Sequence, residues 1–443
     1  MNILKKILLG TSLLAAPAIL MAQNGSNSSY SRFGLGILDD QSQTFNRGMG
    51  GVAYGLRDGA RINMLNPASY SSIDSLSFLF DVGATFKAGF LSAPGNSKTT
   101  RNGSLSNVNM GFRLAKNLGM SLGFVPYSTI GYTFTAEGTV GDAYTSTQPI
   151  TTSTQYTGSG GMHQIYLGLG WKPFANLSIG VNASYLWGSQ DHYVTQSFYE
   201  GSTQSSNFSN QNLLYSADLK TYKLDFGLQY PIRISNQDWV TLGLTYSLGH
   251  NISGEASMMR YTSTADTTEI KVDKAFDLPH TFGGGLSWRH QDKLLIAADY
   301  TLEKWASCKA PVSDETAGAM PTYTSQTGSF LDRTRIALGA EFIPGGSKKS
   351  SKYFETVRYR IGANYSTPYV KVNGQNGPSE LGISIGAGFP LSTKRLSGRS
   401  VINISAEWRQ RRPSISNMVK ENYLMLNLGV TFNENWFVQW KID

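Results

Sequence analysis

Histidine, serine and acidic side chains are the residues of this sequence that could support catalysis or hold a metal ion. The five histidines are His163, His192, His250, His280 and His290. They are dispersed, and no two have the spacing that places a pair of metal ligands on one face of a helix. Serines are abundant, but no local pattern singles out one of them as a nucleophile. The sequence therefore predicts no catalytic residue, no metal site and no cofactor, and we expect the protein not to be an enzyme.

Arg47 and Arg61 are the side chains best suited to binding a ligand. Both lie in a glycine-rich segment near the N-terminus, and a guanidinium group can hold a carboxylate through two parallel hydrogen bonds. One hypothesis is that Arg47 or Arg61 contacts a substrate carboxylate. The alternative is a structural ion-pair network, because the strands predicted below carry inward-facing charges of both signs.

The segment that carries these arginines runs from Phe45 to Tyr70 and fits neither a strand nor a signal sequence. Its most closely spaced glycines are Gly48, Gly50 and Gly51, and its last motif is Asn66, Pro67 and Ala68. Glycine allows tight turns, and the residue before a proline favours extended backbone. We expect a compact plug, or hatch, within the N-terminal region 23–74. The short stretch Ser31–Gly36 could pack into the same interior or act as a linker.

The N-terminal residues and the composition restrict the class of protein. Residues 1–22 contain two lysines, an apolar core and a final small residue, which is typical of a secretory signal peptide. No later apolar run reaches the roughly 18 residues of a membrane-spanning helix. The net charge is +8, but the basic residues are scattered, so we do not expect nucleic-acid binding.

Alternation of apolar and polar residues is the dominant pattern after the N-terminal region. From Leu76 to Phe90 every even position is apolar, whereas Asp81 and Lys87 occupy odd positions. A one-residue shift would place these charges in lipid, at roughly 2–4 kcal/mol for a lysine at the membrane midplane. The pattern recurs near 105–115, 118–135, 162–172, 177–188, 213–230, 239–250, 278–289, 293–305, 330–343, 356–370, 380–390, 400–410 and 422–432. The sequence therefore predicts an all-β fold, a transmembrane antiparallel β-barrel of about 14 strands over residues 75–432, with the hatch in its lumen.

The lengths of the predicted connections support this topology. Long connections, such as 91–103, 136–160 and 190–211, alternate with short ones at 116–117, 173–176 and 235–238. Outer-membrane barrels pair long external loops with short periplasmic turns. We therefore expect an integral protein of the Gram-negative outer membrane, with both barrel ends in the periplasm. Tryptophans at strand ends predict aromatic girdles: Trp171, Trp187, Trp239, Trp288 and Trp305.

A glycine-rich segment that ends in Asn66, Pro67 and Ala68 and precedes about 14 predicted strands resembles the FadL family of outer-membrane transport proteins. In that family an N-terminal hatch with an Asn-Pro-Ala motif plugs the lumen, and an interrupted third strand gives a lateral opening. The third strand here contains Gly123, Pro126 and Gly131, and a proline inside a strand causes a bulge or a gap. The resemblance implies a channel for diffusion of hydrophobic small molecules such as long-chain fatty acids, with lateral exit at the strand-3 kink.

Residues 433–443 depart from this resemblance, because they add a C-terminal aromatic tail with Trp436, Phe437 and Trp440. The tail could dock a partner protein, contact the lumen or anchor at the membrane interface. PorV-type relatives of the fold act as shuttle or scaffold subunits. The second hypothesis is therefore a structural subunit of an outer-membrane protein secretion or barrel-assembly complex. The expected partners are outer-membrane lipid and either a hydrophobic ligand or other proteins of such a complex.

Overall fold

The computed structural model describes residues 27–139, 150–174, 176–201, 203–204, 208–262, 267–314, 321–346, 352–391, 400–415 and 418–435. The predicted signal peptide, residues 1–22, lies outside the described residues. So do Trp436, Phe437 and Trp440 of the predicted aromatic tail. The signal peptide and the role of the tail therefore stay predictions.

The described chain consists mainly of β-strands. In chain order the strands are β1 Ile37–Leu38, β2 Ser77–Ala93, β3 Asn96–Ala115, β4 Leu118–Thr139, β5 Ile150–Trp171, β6 Ser178–Glu200, β7 Thr203–Gln204, β8 Gln211–Arg233, β9 Asp238–Ser247, β10 His250–Asn251, β11 Ser253–Thr262, β12 Thr268–Asp273, β13 Asp277–Leu278, β14 Thr281–His290, β15 Leu294–Glu303, β16 Ala310–Asp314, β17 Thr322–Gln326, β18 Arg333–Phe342, β19 Arg358–Ser366, β20 Lys371–Val372, β21 Gln375–Asn376, β22 Ser379–Pro390, β23 Val401–Arg412 and β24 Lys420–Asn435. Helical turns are the α-helix Thr44–Arg47 and the 3₁₀ helices Ser29–Arg32, Pro67–Ser72, Trp305–Ser307 and Tyr353–Glu355. Among the described residues, no helix is long and apolar enough to cross a membrane.

Fourteen of these strands form a closed antiparallel barrel, which confirms the predicted fold class. They are β2 to β6, β8, β9, β14, β15, β18, β19 and β22 to β24. The first and last barrel strands close the sheet through a ladder that runs from Ser77↔Asn435 to Ser92↔Lys420. Because β24 continues to Asn435, the barrel ends beyond the predicted limit of residue 432.

The alternation in β2 divides its side chains between two environments, as predicted. Phe86 and Phe90 on the outer face are 45% and 53% exposed, whereas Asp81 and Thr85 on the inner face are buried. An apolar outer face suits a membrane, because lipid offers no hydrogen-bond partner to a charged or polar side chain. The pattern therefore gives the outer wall of the barrel its lipid-facing surface.

Strand length differs between the two sides of the barrel. Strands β3 to β6 and β8 have 20 to 23 residues, whereas β9, β14, β15 and β18 have 10 each. At about 3.4 Å per residue the long strands span roughly 70 Å, more than twice the thickness of the hydrocarbon core. Much of the predicted loops 91–103, 136–160 and 190–211 is therefore strand instead, and together with β11 and β12 these extensions form an external sheet.

The external sheet covers an apolar core at its end of the barrel. Met162, Leu186 and Met258 of the sheet pack in one cluster with Leu35 of the N-terminal region and with Trp305. The prediction that Trp305 belongs to an aromatic girdle is wrong, because this side chain is fully buried. Periodicity places a tryptophan at a strand end, but it does not show that the chain turns inward there.

Candidate functional site

Residues 27–74, hereafter the N-terminal segment, are bonded to inward-facing side chains from several parts of the barrel. The backbone N–H groups of Ala53 and Tyr54 donate to the Asp299 carboxylate of β15 over 2.5 and 3.0 Å. The Gly50 N–H donates to Ser384 Oγ of β22 over 3.0 Å. On another side, Tyr70 donates from its hydroxyl to Asn182 Oδ1 of β6 over 3.0 Å. The segment therefore contacts the wall on several sides.

The Asn66, Pro67 and Ala68 motif shapes this segment. Asn66 Oδ1 accepts a 3.2 Å hydrogen bond from the Ala68 N–H and so caps the 3₁₀ helix that begins at Pro67. Asn66 Nδ2 donates to the Tyr54 carbonyl over 2.9 Å and to the Leu228 carbonyl of β8 over 3.2 Å. Asparagine is a preferred N-cap residue, and a proline is tolerated in the first turn. The motif therefore joins two turns of the segment and binds them to the wall.

The backbone conformation requires glycine at two of the three closely spaced glycine positions. Gly50 and Gly51 have φ values of 68° and 80°, in the left-handed region where a Cβ atom causes strain. A Cβ at Gly50 would also lie 2.7 Å from the Ala363 carbonyl oxygen of β19. Gly48 has an ordinary helical conformation. The turn therefore allows the segment to approach the wall backbone closely.

Arg61 is held in a buried ion cluster. Its Nη2 atom lies 2.9 and 2.8 Å from the two carboxylate oxygens of Glu341, and Arg360 Nε lies 2.7 Å from Glu341 Oε2. Asp58 approaches Arg61 Nε to 3.4 Å. Burial by itself lowers the pKa of Arg61, but Glu341 and Asp58 outweigh it and raise the pKa, so the guanidinium stays charged.

Arg47 also has partners within the protein. It donates to Thr85 Oγ1 over 2.9 Å, to the Asp40 carbonyl over 2.7 Å and to the Ser42 carbonyl over 3.2 Å. The guanidinium groups of Arg47 and Arg61 are therefore both occupied. This favours the structural network over the alternative of a substrate carboxylate.

Two acidic groups of the N-terminal segment have lowered pKa values. Burial alone raises the pKa of Asp58, but the charges of Arg61, Arg358 and Arg289 outweigh it and lower the pKa to about 2. For Asp40, burial is likewise outweighed by Arg335 and further arginines, and the pKa falls well below its usual range. Both carboxylates are therefore charged over the physiological pH range.

A cavity of about 150 Å³ remains beside the N-terminal segment, and nine of its 23 lining residues carry charged side chains. Most of these charges are paired with each other: Lys223 with Asp225 on the same strand, Arg333 with Glu303 of the neighbouring strand at 3.0 Å, and Arg335 with Asp40 of the N-terminal segment at 3.3 Å. Paired charges suit water and polar groups, whereas a hydrocarbon offers them no hydrogen bonds. The cavity is therefore a poor site for an apolar ligand.

The wall contains a seam between β3 and β4. Their ladder runs from Ala115↔Leu118 to Val108↔Phe124. Beyond it, residues 96–107 of β3 pair only with β2, whereas β4 continues with β5 across a bulge between Pro126 and Ser128. The bulge lies where the sequence predicts a kink, because proline has no N–H group for the ladder.

The predicted gate residues do not all line this seam. Pro126 lies at the bulge, and Gly131 lies on the unpaired edge of β4. Gly123, by contrast, is paired with Asn109 of β3 and Tyr166 of β5, so the prediction that it belongs to the opening is wrong. A glycine inside a strand weakens it but does not interrupt its hydrogen bonds.

The N-terminal segment covers the β4 edge of the seam. Strand β1 pairs antiparallel with β4 through Ile37↔Thr129 and Leu38↔Ser128. The Asp39 N–H extends the contact by donating to the Tyr127 carbonyl over 3.0 Å. Sequence reasoning left open whether Ser31–Gly36 is a linker, and it missed β1, because two residues are too few to show an alternating pattern. The seam is therefore covered by a part of the chain about 90 residues away from β4 in sequence.

Comparisons with known proteins agree with this architecture. A family model described as BamG matches residues 3–443. The chain belongs to the BamG family. No curated protein sequence matches this BamG-family chain.

Several solved structures have the same fold. One is the CymD monoaromatic hydrocarbon channel, with 15% identity and a TM-score of 0.56, covering 91% of this chain and 99% of that chain. Another is the Ralstonia pickettii toluene transporter TbuX, with 13% identity and a TM-score of 0.58, covering 88% of this chain and 97% of that chain. A Pseudomonas aeruginosa FadL homologue has 13% identity and a TM-score of 0.55, covering 88% of this chain and 98% of that chain. At such identities the likeness concerns the fold. The resemblance to FadL-type barrels is thus confirmed for the barrel fold, and the family is BamG.

Proposed function

We propose that this protein is a structural subunit that docks other proteins in an outer-membrane secretion or barrel-assembly complex, with the N-terminal segment acting as a hatch that keeps the lumen closed. The observation that carries this proposal is the charged and largely paired lining of the 150 Å³ cavity. An apolar cargo would have to displace the segment and break buried ion pairs. The external sheet adds a large surface of paired strands on which a protein partner could rest.

Extraction of the tagged protein from its own outer membrane in mild detergent tests this proposal. Sizing and mass spectrometry should find a protein partner in stoichiometric amount. Replacing Trp436, Phe437 and Trp440 by alanine should release a partner that docks on the tail, whereas replacing Lys441 and Asp443 is the matched control. A barrel that elutes alone at its natural abundance would contradict the structural role.

A second candidate function is diffusion of hydrophobic small molecules with lateral exit. The observation that favours it is the seam, where β3 and β4 lose their ladder and the N-terminal segment covers the β4 edge. In this function, an apolar ligand enters at the external end, β1 moves away from β4, and the ligand leaves between the strands into the bilayer. No energy source is required.

A disulfide lock separates the two candidates. Antiparallel partners have Cα atoms about 4.5–5.5 Å apart, within the range that a disulfide can bridge. Leu38→Cys with Ser128→Cys, in a Cys308→Ser background, should fix β1 on β4. The matched control is Val312→Cys with Thr324→Cys, a partnered pair in the β16–β17 hairpin.

Lateral exit predicts that oxidation of the Leu38–Ser128 lock stops uptake of a hydrophobic probe and that reduction restores it, while the control hairpin has no effect. Uptake that is the same in the oxidised and reduced lock would remove this function. The structural role predicts that the complex survives oxidation in both variants.

A further inference from the structure

The outer wall carries an apolar groove at the end of the barrel where the connections are short. Its volume is about 800 Å³, within the range of small-molecule sites. The groove crosses strands β4, β5, β6, β8 and β9, and its large side chains include Leu118, Leu169, Trp171, Phe226 and Leu244. Since Leu169, Phe226 and Leu244 are exposed on the lipid-facing wall, the groove opens toward the membrane.

The wall behind the groove is thin, because glycines occupy its inner face. Gly180 and Gly227 contribute to the groove and carry no side chain. On the lumen side, a Cβ at Gly180 would lie 2.4 Å from the Pro67 carbonyl carbon, and one at Gly227 would lie 2.2 Å from Asn66 Oδ1. The Asn66–Pro67 motif therefore supports the groove from inside.

Two lysines lie at the short-turn end of this groove. Lys116 directly precedes Asn117 and Leu118, and Lys172 directly follows Trp171. Leu118 and Trp171 are ladder partners, and the Lys172 N–H donates to the Asn117 carbonyl over 2.8 Å, so the two turns are joined. Among the described residues, neither ammonium group has a carboxylate partner. This contrasts with the lumen, where lysines such as Lys223 are paired.

We propose that the groove and the two lysines form a binding site for an anionic phospholipid. The acyl chains lie along the apolar wall, and the phosphate lies between Lys116 and Lys172. Short turns of outer-membrane barrels face the periplasm, so the site lies in the leaflet on that side. A protein segment could also cover an apolar groove, but two cations at its membrane-interface end, without a carboxylate partner in the described part of the chain, complement a phosphate group.

Each lysine near an anionic surface contributes roughly fivefold to binding, so both together give a preference of up to about 30-fold for an anionic over a zwitterionic lipid. The preference belongs to this site alone if it depends on these two lysines. Lys293, in the turn between β14 and β15 at the same end of the barrel, offers a matched control.

Quenching of Trp171 fluorescence by brominated lipids measures this preference. The barrel is placed in nanodiscs of phosphatidylcholine that contain increasing fractions of brominated phosphatidylglycerol or brominated phosphatidylcholine. The difference between wild type and Trp171→Phe isolates the Trp171 signal. Quenching should saturate at a lower fraction of phosphatidylglycerol, and Lys116→Gln with Lys172→Gln should remove the difference, while Lys293→Gln should retain it.

Equal quenching by both lipids, or a preference that survives the double substitution, would overturn the proposal. So would capture of a protein rather than a phospholipid by a photocrosslinking residue placed at Leu244 in cells. Heat-dependent migration of the folded barrel on gels checks that the double variant is folded. Native mass spectrometry provides a second measurement, because phosphatidylglycerol should stay bound to wild type after delipidation and be lost from the double variant.

Discussion

Replacing Arg61 by glutamine should loosen the N-terminal segment without opening the barrel wall. Arg61 joins the segment directly to Glu341, and the side chains of both residues are at most 7% exposed. After the substitution, Glu341 still has Arg360 at 2.7 Å and Arg358 at 3.4 Å on the neighbouring strand. The ion pairs within the barrel wall therefore remain, and the substitution destabilises only the attachment of the N-terminal segment.

The size of the effect follows from the contacts that disappear. A hydrogen bond to a charged group contributes about 1.5–3 kcal/mol. Arg61 also loses its position 4.8 Å from the centre of the Phe45 ring, a contact of about 0.5–2 kcal/mol. A total near 3 kcal/mol corresponds to an increase of roughly 100-fold in the population of the detached segment. Glutamine keeps one amide donor, so the measured value should lie at or below this figure.

Hydrogen–deuterium exchange of peptides that cover residues 45–65 is the appropriate assay, because it reports opening of the segment separately from the wall. The matched control is Lys271→Gln, which removes a cation paired with Glu255 in the external sheet, where both side chains are about half exposed. Such pairs contribute about 1 kcal/mol or less. The structural role of Arg61 would be refuted if the segment of the Arg61→Gln variant exchanged at the wild-type rate while the barrel wall was as protected as in the wild type. That result would restore the ligand hypothesis.

Three other perturbations probe the same segment. Asn66→Ala removes a helix cap and should cost about 0.5–2 kcal/mol, measured as earlier thermal release of the segment; an unchanged release temperature would contradict the capping role. Gly50→Ala should lower the yield of folded barrel, since its φ is 68° and a wall carbonyl lies 2.7 Å from the new Cβ. Gly374→Ala is the matched control, because its φ is 76° but no atom lies near the new Cβ, so it shows the effect of backbone strain without a steric clash. The pKa of Asp58 is lowered from 3.8 to about 2, so its stabilisation is complete above about pH 5 and is lost progressively as the pH falls through about 2. Exchange rates should rise over that window, and Asp58→Asn should flatten the rise.

Local rules explain what could be predicted. The alternation in β2 assigned Asp81 to the inner face and Phe86 to the outer face, because side chains of a strand alternate between its two sides. Pro126 predicted an interruption of β4, because proline lacks the N–H group that a ladder needs. Gly123 misled the same reasoning, since a glycine can still form both ladder hydrogen bonds.

The sequence by itself determined the class of fold, the number of barrel strands and the lipid-facing surface, since each follows from a period of two residues that any short window displays. Only the tertiary structure decided which partners the charges take. Arg61 meets Glu341 from 280 residues away, β1 covers a seam formed by distant strands, and the Lys172 N–H meets the Asn117 carbonyl across two turns. Such contacts depend on closure of the barrel and on the path of the segment inside it, and no local pattern of residues contains that information.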